Sequence, residues 1–427
     1  MRTQFTAEQL QDADTADCAS ALRACVHCGF CTATCPTYLL TGDALDSPRG
    51  RIRLIQEMLE SGAAPSARTV KHLDRCLSCL GCETACPSGV DYSHLIDEAR
   101  AHIEEHYERP AIERFMRGAL MRVMPSPALF RLSLLLGKIA GMLGVPLPAA
   151  AAPVIAQARK ARMAAPIRRR HFPAAGARKA RVALMPGCVQ QSLTPETNAA
   201  AIRFLTRHGV EVVIPKGAGC CGSVHHHGGD KAGAATRARA NAAAWAREME
   251  GEGLDAIIVT ASGCGSTVKE YGRILRESEG YAHRGRRAGA IAKDILEFVR
   301  DLDIRYVGPP ERLRVAFQEP CSLQHGQKLP GLGAALLAQA GYEVAPVAEG
   351  HLCCGSAGTY SLYQPELSGA LKARKLANLA AARPQVIASD NFGCMQHLAG
   401  EASAPFVHAI ELLDWASGGP KPAALGS

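Results

Sequence analysis

Residues 25–36 read Cys-Val-His-Cys-Gly-Phe-Cys-Thr-Ala-Thr-Cys-Pro, and residues 76–87 read Cys-Leu-Ser-Cys-Leu-Gly-Cys-Glu-Thr-Ala-Cys-Pro. Both stretches have the spacing C-x2-C-x2-C-x3-C-P. In proteins with two cubane clusters, three closely spaced thiolates bind one cluster, and the fourth cysteine, which precedes proline, binds the other. The repeated spacing therefore predicts two [4Fe–4S] clusters near the start of this chain.

The crossed pattern of ligands assigns every cysteine of the two motifs. One cluster takes Cys25, Cys28, Cys31 and Cys86, and the second takes Cys76, Cys79, Cys82 and Cys35. Zinc and disulfides are the alternatives. A zinc site needs four ligands, commonly as two spaced pairs, and would not explain the third cysteine of each run or the trailing proline. A disulfide framework is typical of short secreted chains.

Composition and length describe a globular protein of several domains. The 427 residues include 17 cysteines, with 47% hydrophobic and 21% charged residues, which is an ordinary balance for a protein with real cores. The first residues, MRTQFTAEQLQDADTADC, are polar and acidic and lack the apolar segment of a secretory leader. We therefore expect a reducing cytoplasmic location, in which the cysteines serve as metal ligands.

Residues 1–110 form the first predicted domain, which holds the two motifs. Forty residues separate Cys35 from Cys76, too many for a compact ferredoxin in which a short hairpin joins the halves. The insert is predicted to be helical from Pro48, with Ser47 as its cap and Gly62 as its end. A second helix is predicted over residues 92–107, so the domain is a helical ferredoxin-like one.

Residues 111–180 form a predicted connector rich in Pro, Ala and basic residues. Between Glu113 and Glu196 there is no acidic residue but there are fourteen Lys or Arg residues, more than the net charge of +8 of the whole chain. The apolar residues near 130–139 predict an amphipathic helix that packs on a partner, rests on a lipid surface or folds back onto its own domain. Residues 139–158 are uncharged and long enough to span a membrane, but their prolines disfavour a spanning helix.

Residues 181–308 and 309–427 are two copies of an internal repeat. Each copy has a strand followed by a lone cysteine, a Cys-Cys-Gly triplet, and a second strand followed by another cysteine. The cysteines are Cys188, Cys220, Cys221 and Cys264 in the first copy and Cys321, Cys353, Cys354 and Cys394 in the second. Strands and helices alternate, so each copy is predicted to be an α/β module with its cysteines beyond the carboxyl ends of parallel strands.

Four thiols at one sheet edge have several possible roles. They could bind a further iron–sulfur cluster, form a redox-active dithiol or line a docking surface. Adjacent Cys-Cys pairs do not easily fill two corners of a cubane, so a cluster here would have an unusual geometry. Residues 225–227, three histidines after the first Cys-Cys-Gly, could bind a metal or form a polar loop.

The chain has no P-loop and no credible nucleotide or flavin signature, so we assign no catalytic residue and no flavin or nucleotide to it. Oxidation of an organic substrate by two electrons requires a cofactor able to accept both, and such a cofactor is expected on a partner subunit. The predicted fold class is a multidomain α+β and α/β protein. A helical ferredoxin-like two-cluster domain is followed by two repeated α/β cysteine-rich modules.

These residues resemble the iron–sulfur subunits of bacterial glycolate dehydrogenase, also called glycolate oxidase, across essentially the full length. The shared features are residues 25–36, residues 76–90, the run Leu45-Asp-Ser-Pro-Arg-Gly-Arg51 and the two Cys-Cys-Gly repeats. The architecture is also similar to subunits of anaerobic glycerol-3-phosphate dehydrogenase and heterodisulfide reductase. The resemblance implies a complex in which flavoprotein subunits oxidise glycolate to glyoxylate and this chain relays electrons to a quinone-linked acceptor. It also implies a peripheral location on the cytoplasmic face of the inner membrane.

In the wider family each Cys-Cys-Gly module ends in C-x-x-C. Here Ala261 and Asn391 replace the first cysteine of that pair, which argues against the five-thiolate non-cubane cluster of heterodisulfide reductase but leaves four thiols per copy. The leading hypothesis is an electron-transfer subunit with two [4Fe–4S] clusters. The alternatives are a heterodisulfide-reductase-like thiol–disulfide reductase subunit, the iron–sulfur subunit of another 2-hydroxy acid or glycerol-3-phosphate dehydrogenase, and an assembly scaffold whose clusters only stabilise the fold.

Overall fold

Short helices surround the two cysteine-bearing loops at the start of the chain. The computed structural model describes residues 1–143, 167 and 169–426. The helices of the first region are α1 (Ala13–Ala24), α2 (Pro36–Thr41), α3 (Pro48–Ser61), α4 (Ala67–Asp74), α5 (Gly81–Thr84) and α6 (Tyr92–His106). Helices α1, α3, α4 and α6 enclose a core in which Leu22, Ile55, Leu73, Leu95 and Ile96 are fully buried.

The insert between the motifs is helical, as its sequence predicts. The Ser47 hydroxyl accepts the Gly50 N–H at 3.1 Å, Pro48 occupies the first turn, and Gly62 closes the helix with a left-handed φ of 62°. Only glycine fits at position 50, because the backbone of Ala44 packs against it and a Cβ there would lie 2.1 Å from the Ala44 carbonyl oxygen. The second predicted helix is confirmed as α6.

Two further helices, α7 (Ala111–Val123) and α8 (Pro127–Met142), meet at an angle of 117°. Their exposed large apolar side chains are Ile112, Phe115, Leu129, Leu132, Leu135, Leu136, Ile139 and Met142. In the part of the chain that the structure describes, no single helix has the length and hydropathy to cross a membrane, whereas this bent pair meets both criteria when taken together. From residue 144 onward, the uncharged stretch predicted at 139–158 lies outside the described residues.

Each cysteine-rich module is built on a parallel sheet, and the two sheets share one strand order. The strands are β1 (His171–Phe172), β2 (Ala180–Met185), β3 (Val210–Val213), β4 (Ala256–Val259), β5 (Ala292–Asp294), β6 (Arg314–Gln318), β7 (Glu343–Ala345), β8 (Val386–Ser389) and β9 (Phe406–His408). The first sheet has the order β1-β3-β2-β4-β5, in which only β1 is antiparallel, and the second has the order β7-β6-β8-β9. The predicted fold class, with its repeated α/β modules, is confirmed.

Helices cover both faces of these sheets. In the first module they are α9 (Gln190–Leu193), α10 (Pro195–Arg207), α11 (Ser223–His226), α12 (Lys231–Glu250), α13 (Ser262–Lys269), α14 (Tyr271–Ile274), α15 (Ala282–Ile291) and α16 (Ile295–Arg300). In the second they are α17 (Leu332–Gln339), α18 (Tyr360–Tyr363), α19 (Pro365–Ala381), α20 (Phe392–Leu398) and α21 (Ala409–Ala416), with a π-helical turn at Ser322–Gly326. A doubly wound sheet of this order has its binding edge at the carboxyl ends of the central strands.

One hydrophobic core is shared by the two modules, and each module has a second core of its own. One continuous cluster joins Leu184 and Ile258 of the first sheet to Phe317 and Val386 of the second. Helices α10 and α21 pack together across the junction, where Arg207 Nη1 lies 2.7 Å from Asp414 Oδ1. The modules are therefore held in one fixed orientation by apolar burial, with ion pairs at its margin.

Polar groups at matched positions of the repeat also cross the junction. Asp294 and His408 each cap the helix that follows the last strand of their module. His408 Nε2 donates to the Thr260 carbonyl at 2.9 Å, and the Asp294 carboxyl faces Asp390. Burial raises the pKa of Asp294 to about 6, and burial together with the charge of Asp294 raises the pKa of Asp390.

Candidate iron–sulfur centres

The first motif forms a tight loop directly after α1. His27 and Gly29 have left-handed φ angles of 55° and 86°, so the backbone reverses twice between Cys25 and Cys31 and turns three thiols to one side. A cleft beside this loop is lined by Cys25, Cys28, Cys31, Cys82 and Cys86. The structure thus brings Cys86, the last cysteine of the second motif, to the loop of the first.

The second motif repeats the same backbone conformation. Ser78 and Leu80, the positions that match His27 and Gly29, have φ angles of 48° and 60°. A leucine with a left-handed φ is uncommon, so the shape of this loop places local strain on the backbone of Leu80. A second cleft is lined by Cys35, Cys76, Cys79 and Cys82. Here Cys35, the last cysteine of the first motif, joins the loop of the second.

Electrostatics within these clefts favours the binding of a cation. Burial raises the pKa of Cys79 and of Cys82, and the neighbouring thiols raise it further. Burial similarly raises the pKa of Cys31. Thiolates packed this closely repel one another unless metal ions neutralise them. Two sets of four soft sulfur ligands, each lining one cleft, fit the ligand requirement of a [4Fe–4S] cluster.

A buried guanidinium lies against the second set of thiols. The Arg51 side chain is 1% exposed, and its Nη1 donates to Cys35 Sγ at 3.7 Å. Burial opposes its charge, but Cys76, Tyr92 and Cys35 more than compensate and raise the pKa of Arg51. Arg51 also donates to the His72 carbonyl at 2.8 Å. The second cleft therefore carries a fixed positive charge.

Asp46 anchors this arrangement from the other side. Its carboxyl oxygens lie 2.8 Å from His72 Nδ1 and 2.8 Å from Arg75 Nη1, and 3.6 Å from Arg51 Nη2. Burial would raise the pKa of Asp46, but these three partners hold it below its usual value. The insert helix is thereby fixed to α4 behind the second motif.

The first Cys-Cys-Gly module gathers its four thiols at the carboxyl edge of its sheet. Cys188 follows β2, Cys220 and Cys221 follow β3, and Cys264 lies in the first turn of α13. Hydrogen bonds from the thiols of Cys188 and Cys221 and from the Gly222 N–H, whose nitrogen lies 3.4 Å from the sulfur, lower the pKa of Cys220. Four converging sulfurs, one of them readily ionised, suit a metal centre or a redox-active thiol group.

The second module places its four thiols at the matching edge. Cys321 Sγ lies 3.8 Å from Cys353 Sγ, too far apart for a disulfide bond. The Cys354 thiol and burial raise the pKa of Cys353, and the Cys394 thiol and burial raise that of Cys354. Asn391, which stands where the wider family has a cysteine, donates its amide Nδ2 to Cys394 Sγ at 3.5 Å.

The glycine of each Cys-Cys-Gly triplet is required by the backbone. Gly222 and Gly355 have left-handed φ angles of 88° and 90°. A Cβ at Gly222 would lie 3.3 Å from the Ala234 carbonyl oxygen, and one at Gly355 would lie 2.7 Å from that of Ser368. The triplet is therefore a turn that points two consecutive thiols into one site while the following helix packs closely behind it.

One cavity of about 660 Å³ lies between the first domain and both modules. Its lining includes Cys76, Cys79, Cys188, Cys220, Cys221, Cys264, Cys321, Cys353, Cys354 and Cys394. All eight repeat cysteines and two cysteines of the second motif therefore face a common space. A cavity of this size with a sulfur-rich wall provides room for further metal centres beside the second motif.

The second motif contacts the second module directly. Leu77 is buried against Cys353 and Tyr360, with Cys79 and Cys321 packed at the edge of the same cluster. The proximity of Cys79 and Cys321 raises the pKa of the Cys79 thiol beyond the effect of burial. His325 binds across the same contact, where its Nδ1 and Thr84 Oγ1 lie 2.7 Å apart. The second ferredoxin loop and the second module thus form adjoining parts of one site.

The first module meets the first domain through polar groups instead. Lys231 Nζ lies 2.6 Å from Glu98 Oε2, and Arg273 Nη2 lies 2.8 Å from Asp91 Oδ2. Asp97 lies between two of the three predicted loop histidines, 3.2 Å from His226 and 3.0 Å from His227. Burial would raise the pKa of Asp97, but the two imidazoles hold it well below its usual range.

Several of these residues carried no readable signal in the sequence. Asp97 and His227 are 130 positions apart, and Arg51 and His72 are 21 apart, so neither contact follows from a local pattern. The remaining cysteine, Cys18, is buried within α1 and belongs to the core of the first domain. Its burial, which raises its pKa, makes it a packing residue.

Comparison with known proteins agrees with this arrangement. Residues 182–269 and 315–399 match the cysteine-rich domain family, and residues 21–90 match the 4Fe-4S dicluster domain. A crystal structure of a hypothetical protein from Helicobacter pylori aligns with a TM-score of 0.53, covering 97% of this chain and 74% of that one at 8% identity. That likeness concerns the fold alone.

A dicluster domain joined to two cysteine-rich modules defines an iron–sulfur protein that transfers electrons. The chain is 43% identical to the glycolate oxidase iron–sulfur subunit of Escherichia coli (strain K12), over 97% of this chain and 99% of the relative. It is 31% identical to the probable glycolate oxidase iron–sulfur subunit of Bacillus subtilis (strain 168), over 92% and 94%. The chain belongs to the family of glycolate oxidase iron–sulfur subunits.

Replacing Arg51 with methionine is expected to lower the reduction potential of the centre in the second cleft, because reduction adds a negative charge that the guanidinium stabilises. A unit charge a few ångströms away in a partly buried site contributes a few kcal/mol, on the order of 100 mV for a one-electron couple. Redox titration followed by electron paramagnetic resonance measures this shift.

The matched control is Arg53→Met, on the same helix but with a side chain that is 71% exposed. It is expected to leave the potential unchanged within about 20 mV, since solvent screens an exposed charge. Equal shifts in the two variants, or no shift in either, would show that the buried charge does not set the potential.

Proposed function

We propose that this chain is the electron-transfer subunit of a complex that oxidises glycolate to glyoxylate. The relatives named above are glycolate oxidase iron–sulfur subunits, and their names suggest the substrate. The observation that most supports a relay is the direct packing of Cys79 beside Cys321 and Cys353. That contact links the first domain to a second sulfur-rich site without an intervening layer of protein.

The proposed ligands follow from the thiols that line each cleft. Cys25, Cys28, Cys31 and Cys86 would hold one [4Fe–4S] cluster, and Cys76, Cys79, Cys82 and Cys35 would hold the other. Cys82 borders both clefts, and its place in the second set rests on the repeat spacing. Each cluster, when bound, supplies one-electron redox chemistry.

We also propose that each module holds a further redox centre on its four cysteines. The left-handed glycine of the Cys-Cys-Gly turn directs two thiols inward, and the cysteines that follow the central strands supply the other two. Functionally, the chain would divide into a cluster domain (1–110), a connector (111–180) and two redox modules (181–308 and 309–427).

Oxidation of a 2-hydroxy acid removes two electrons at once and needs a cofactor that accepts both. A flavoprotein subunit would perform that step, and this chain would receive the electrons singly. A quinone-linked acceptor would then take them at the membrane. Arg51 contributes by stabilising added negative charge at the second cleft, where Cys82 is buried.

The α7–α8 pair is the proposed contact with the membrane surface. Leu132, Leu136 and Met142 are 50%, 56% and 85% exposed, an unusual display of large apolar side chains. Lys138 lies on the same helix as these residues, and Arg122 lies in the last turn of α7. An exposed apolar face with basic neighbours and no acidic residue from 114 to 142 is typical of a helix that rests on anionic lipid.

Single cysteine variants test the crossed ligand sets. Cys86→Ser is expected to lose the same paramagnetic signal as Cys28→Ser, and Cys35→Ser the same signal as Cys79→Ser, because each pair would serve one cluster. Cys18→Ala, which removes a thiol from the core, should retain both signals. The assignment fails if the spectrum of Cys86→Ser matches that of Cys79→Ser.

Anaerobic mixing of the purified chain with its purified flavoprotein subunits tests the substrate. Glycolate is expected to bleach the visible absorbance of the clusters within seconds, whereas glycerol 3-phosphate should not. Omitting the flavoprotein should abolish the response, since the chain itself is proposed to lack a two-electron cofactor. Bleaching by glycerol 3-phosphate but not by glycolate would assign the chain to a different dehydrogenase.

The double variant Leu132→Glu/Leu136→Glu tests the membrane contact. Burying a leucine side chain contributes roughly 1.5–3 kcal/mol, so binding to vesicles with about one-third anionic lipid should fall at least tenfold. Cosedimentation with vesicles measures the binding. Val307→Glu, at a residue that is 80% exposed outside these helices, is the control and should bind as the unmodified chain does.

A further inference from the structure

The loop of the first motif presents an apolar surface to solvent. Val26 and Phe30, which flank Cys28 within the motif, are 68% and 67% exposed, and Cys28 is itself exposed. Large apolar side chains grouped around a metal ligand are costly to leave in water. Among the cysteines of the described residues, Cys28 is the only exposed one, and the others are buried or partly buried.

In the second motif, the matching surface of the loop is covered by protein. Its residue Leu77, which matches Val26 in the repeat, is 6% exposed and packs on Cys353 and Tyr360 of the second module. Its residue Gly81, which matches Phe30, is buried, and a Cβ there would lie 3.5 Å from His325 Nε2. The equivalent face of the second loop is thus covered by another redox module.

The charges around the first loop are positive. Arg49 is exposed, and its Nη1 lies 3.8 Å from the position of a Cβ on Gly29. Arg53 on the same helix pairs with Glu57 at 2.8 Å, so Arg49 is the arginine that presents its charge at the rim of this surface. A partner that fits this surface has an apolar centre and an acidic rim.

We propose that the surface formed by Val26, Phe30 and Arg49 is the docking site for the flavoprotein subunit, which would present acidic groups to Arg49. This proposal rests on the proposed function, since it names the place where the electron donor binds. The repeat of the cysteine motif supports this site, because the matching face of the second loop is covered by the second module. Transfer over a short distance requires contact close to a cluster ligand, and Cys28 lies at the centre of this surface.

Binding of the purified flavoprotein to the intact, cluster-loaded chain tests the proposal. Phe30→Glu and Arg49→Glu are each expected to weaken binding at least tenfold. Phe30→Glu places a charge in the apolar centre of the surface, and Arg49→Glu reverses the sign of the charge at its rim. Val307→Glu, an equally exposed site elsewhere, should bind normally. Paramagnetic signals and reduction by dithionite are expected to be unchanged in all three variants.

Unchanged binding in both Phe30→Glu and Arg49→Glu would overturn the docking site. If Phe30→Glu loses its clusters, the affinity of Arg49→Glu alone decides the question. Sedimentation that shows a dimer of this chain, dispersed by these substitutions while the flavoprotein still binds, would also overturn it. If glycolate with the flavoprotein fails to reduce the unmodified chain, the proposed function is wrong. The affinities of Phe30→Glu and Arg49→Glu for the flavoprotein still test the docking surface in that case.

Discussion

Burial of closely packed thiols is the constraint on which the rest of this structure depends. Sixteen of the 17 cysteines gather into four sets. Burial raises the pKa of Cys79 and Cys82, and the Cys353 thiol together with burial raises that of Cys321. Thiolates in such a setting are stable only when bound cations offset both desolvation and mutual repulsion. The left-handed loop residues, the strained Leu80 and the buried Arg51 are features of a scaffold built to hold metal-bound sulfur.

The first domain is attached to the two modules by different physical means. Ion pairs such as Lys231–Glu98 join it to the first module, whereas Leu77 and the sulfurs of Cys79 and Cys353 join it to the second. Partly exposed ion pairs add little free energy but orient the surfaces. The apolar contact sets a short, fixed separation between sulfur sites, which is what electron transfer requires.

Local spacing predicted the parts of the site that local backbone geometry determines. The C-x2-C-x2-C-x3-C-P runs specify loops, and a strand followed by a cysteine places a thiol at the carboxyl edge of a sheet, because each depends on a few adjacent residues. The contact of Asp97 with His227 across 130 positions depends on how domains pack. So does the core that joins Leu184 to Phe317. Residue patterns report which face of an element is apolar but not which partner covers it, and these features were therefore not predicted.

The two modules are chemically unequal in spite of their shared strand order. Asn391 donates a hydrogen bond to Cys394, whereas Ala261 at the matched position in the first module has no side chain that can donate to Cys264. Hydrogen bonds to sulfur stabilise the reduced form of an iron–sulfur centre and raise its potential. The first module has donors of its own, since the Gly222 and Ser223 N–H groups donate to the sulfurs of Cys220 and Cys221 at 3.4 Å. Both modules therefore supply hydrogen bonds to sulfur, and contact distinguishes them. The second module is the one packed against Cys79, so the short separation would make it the first to receive an electron from the second motif.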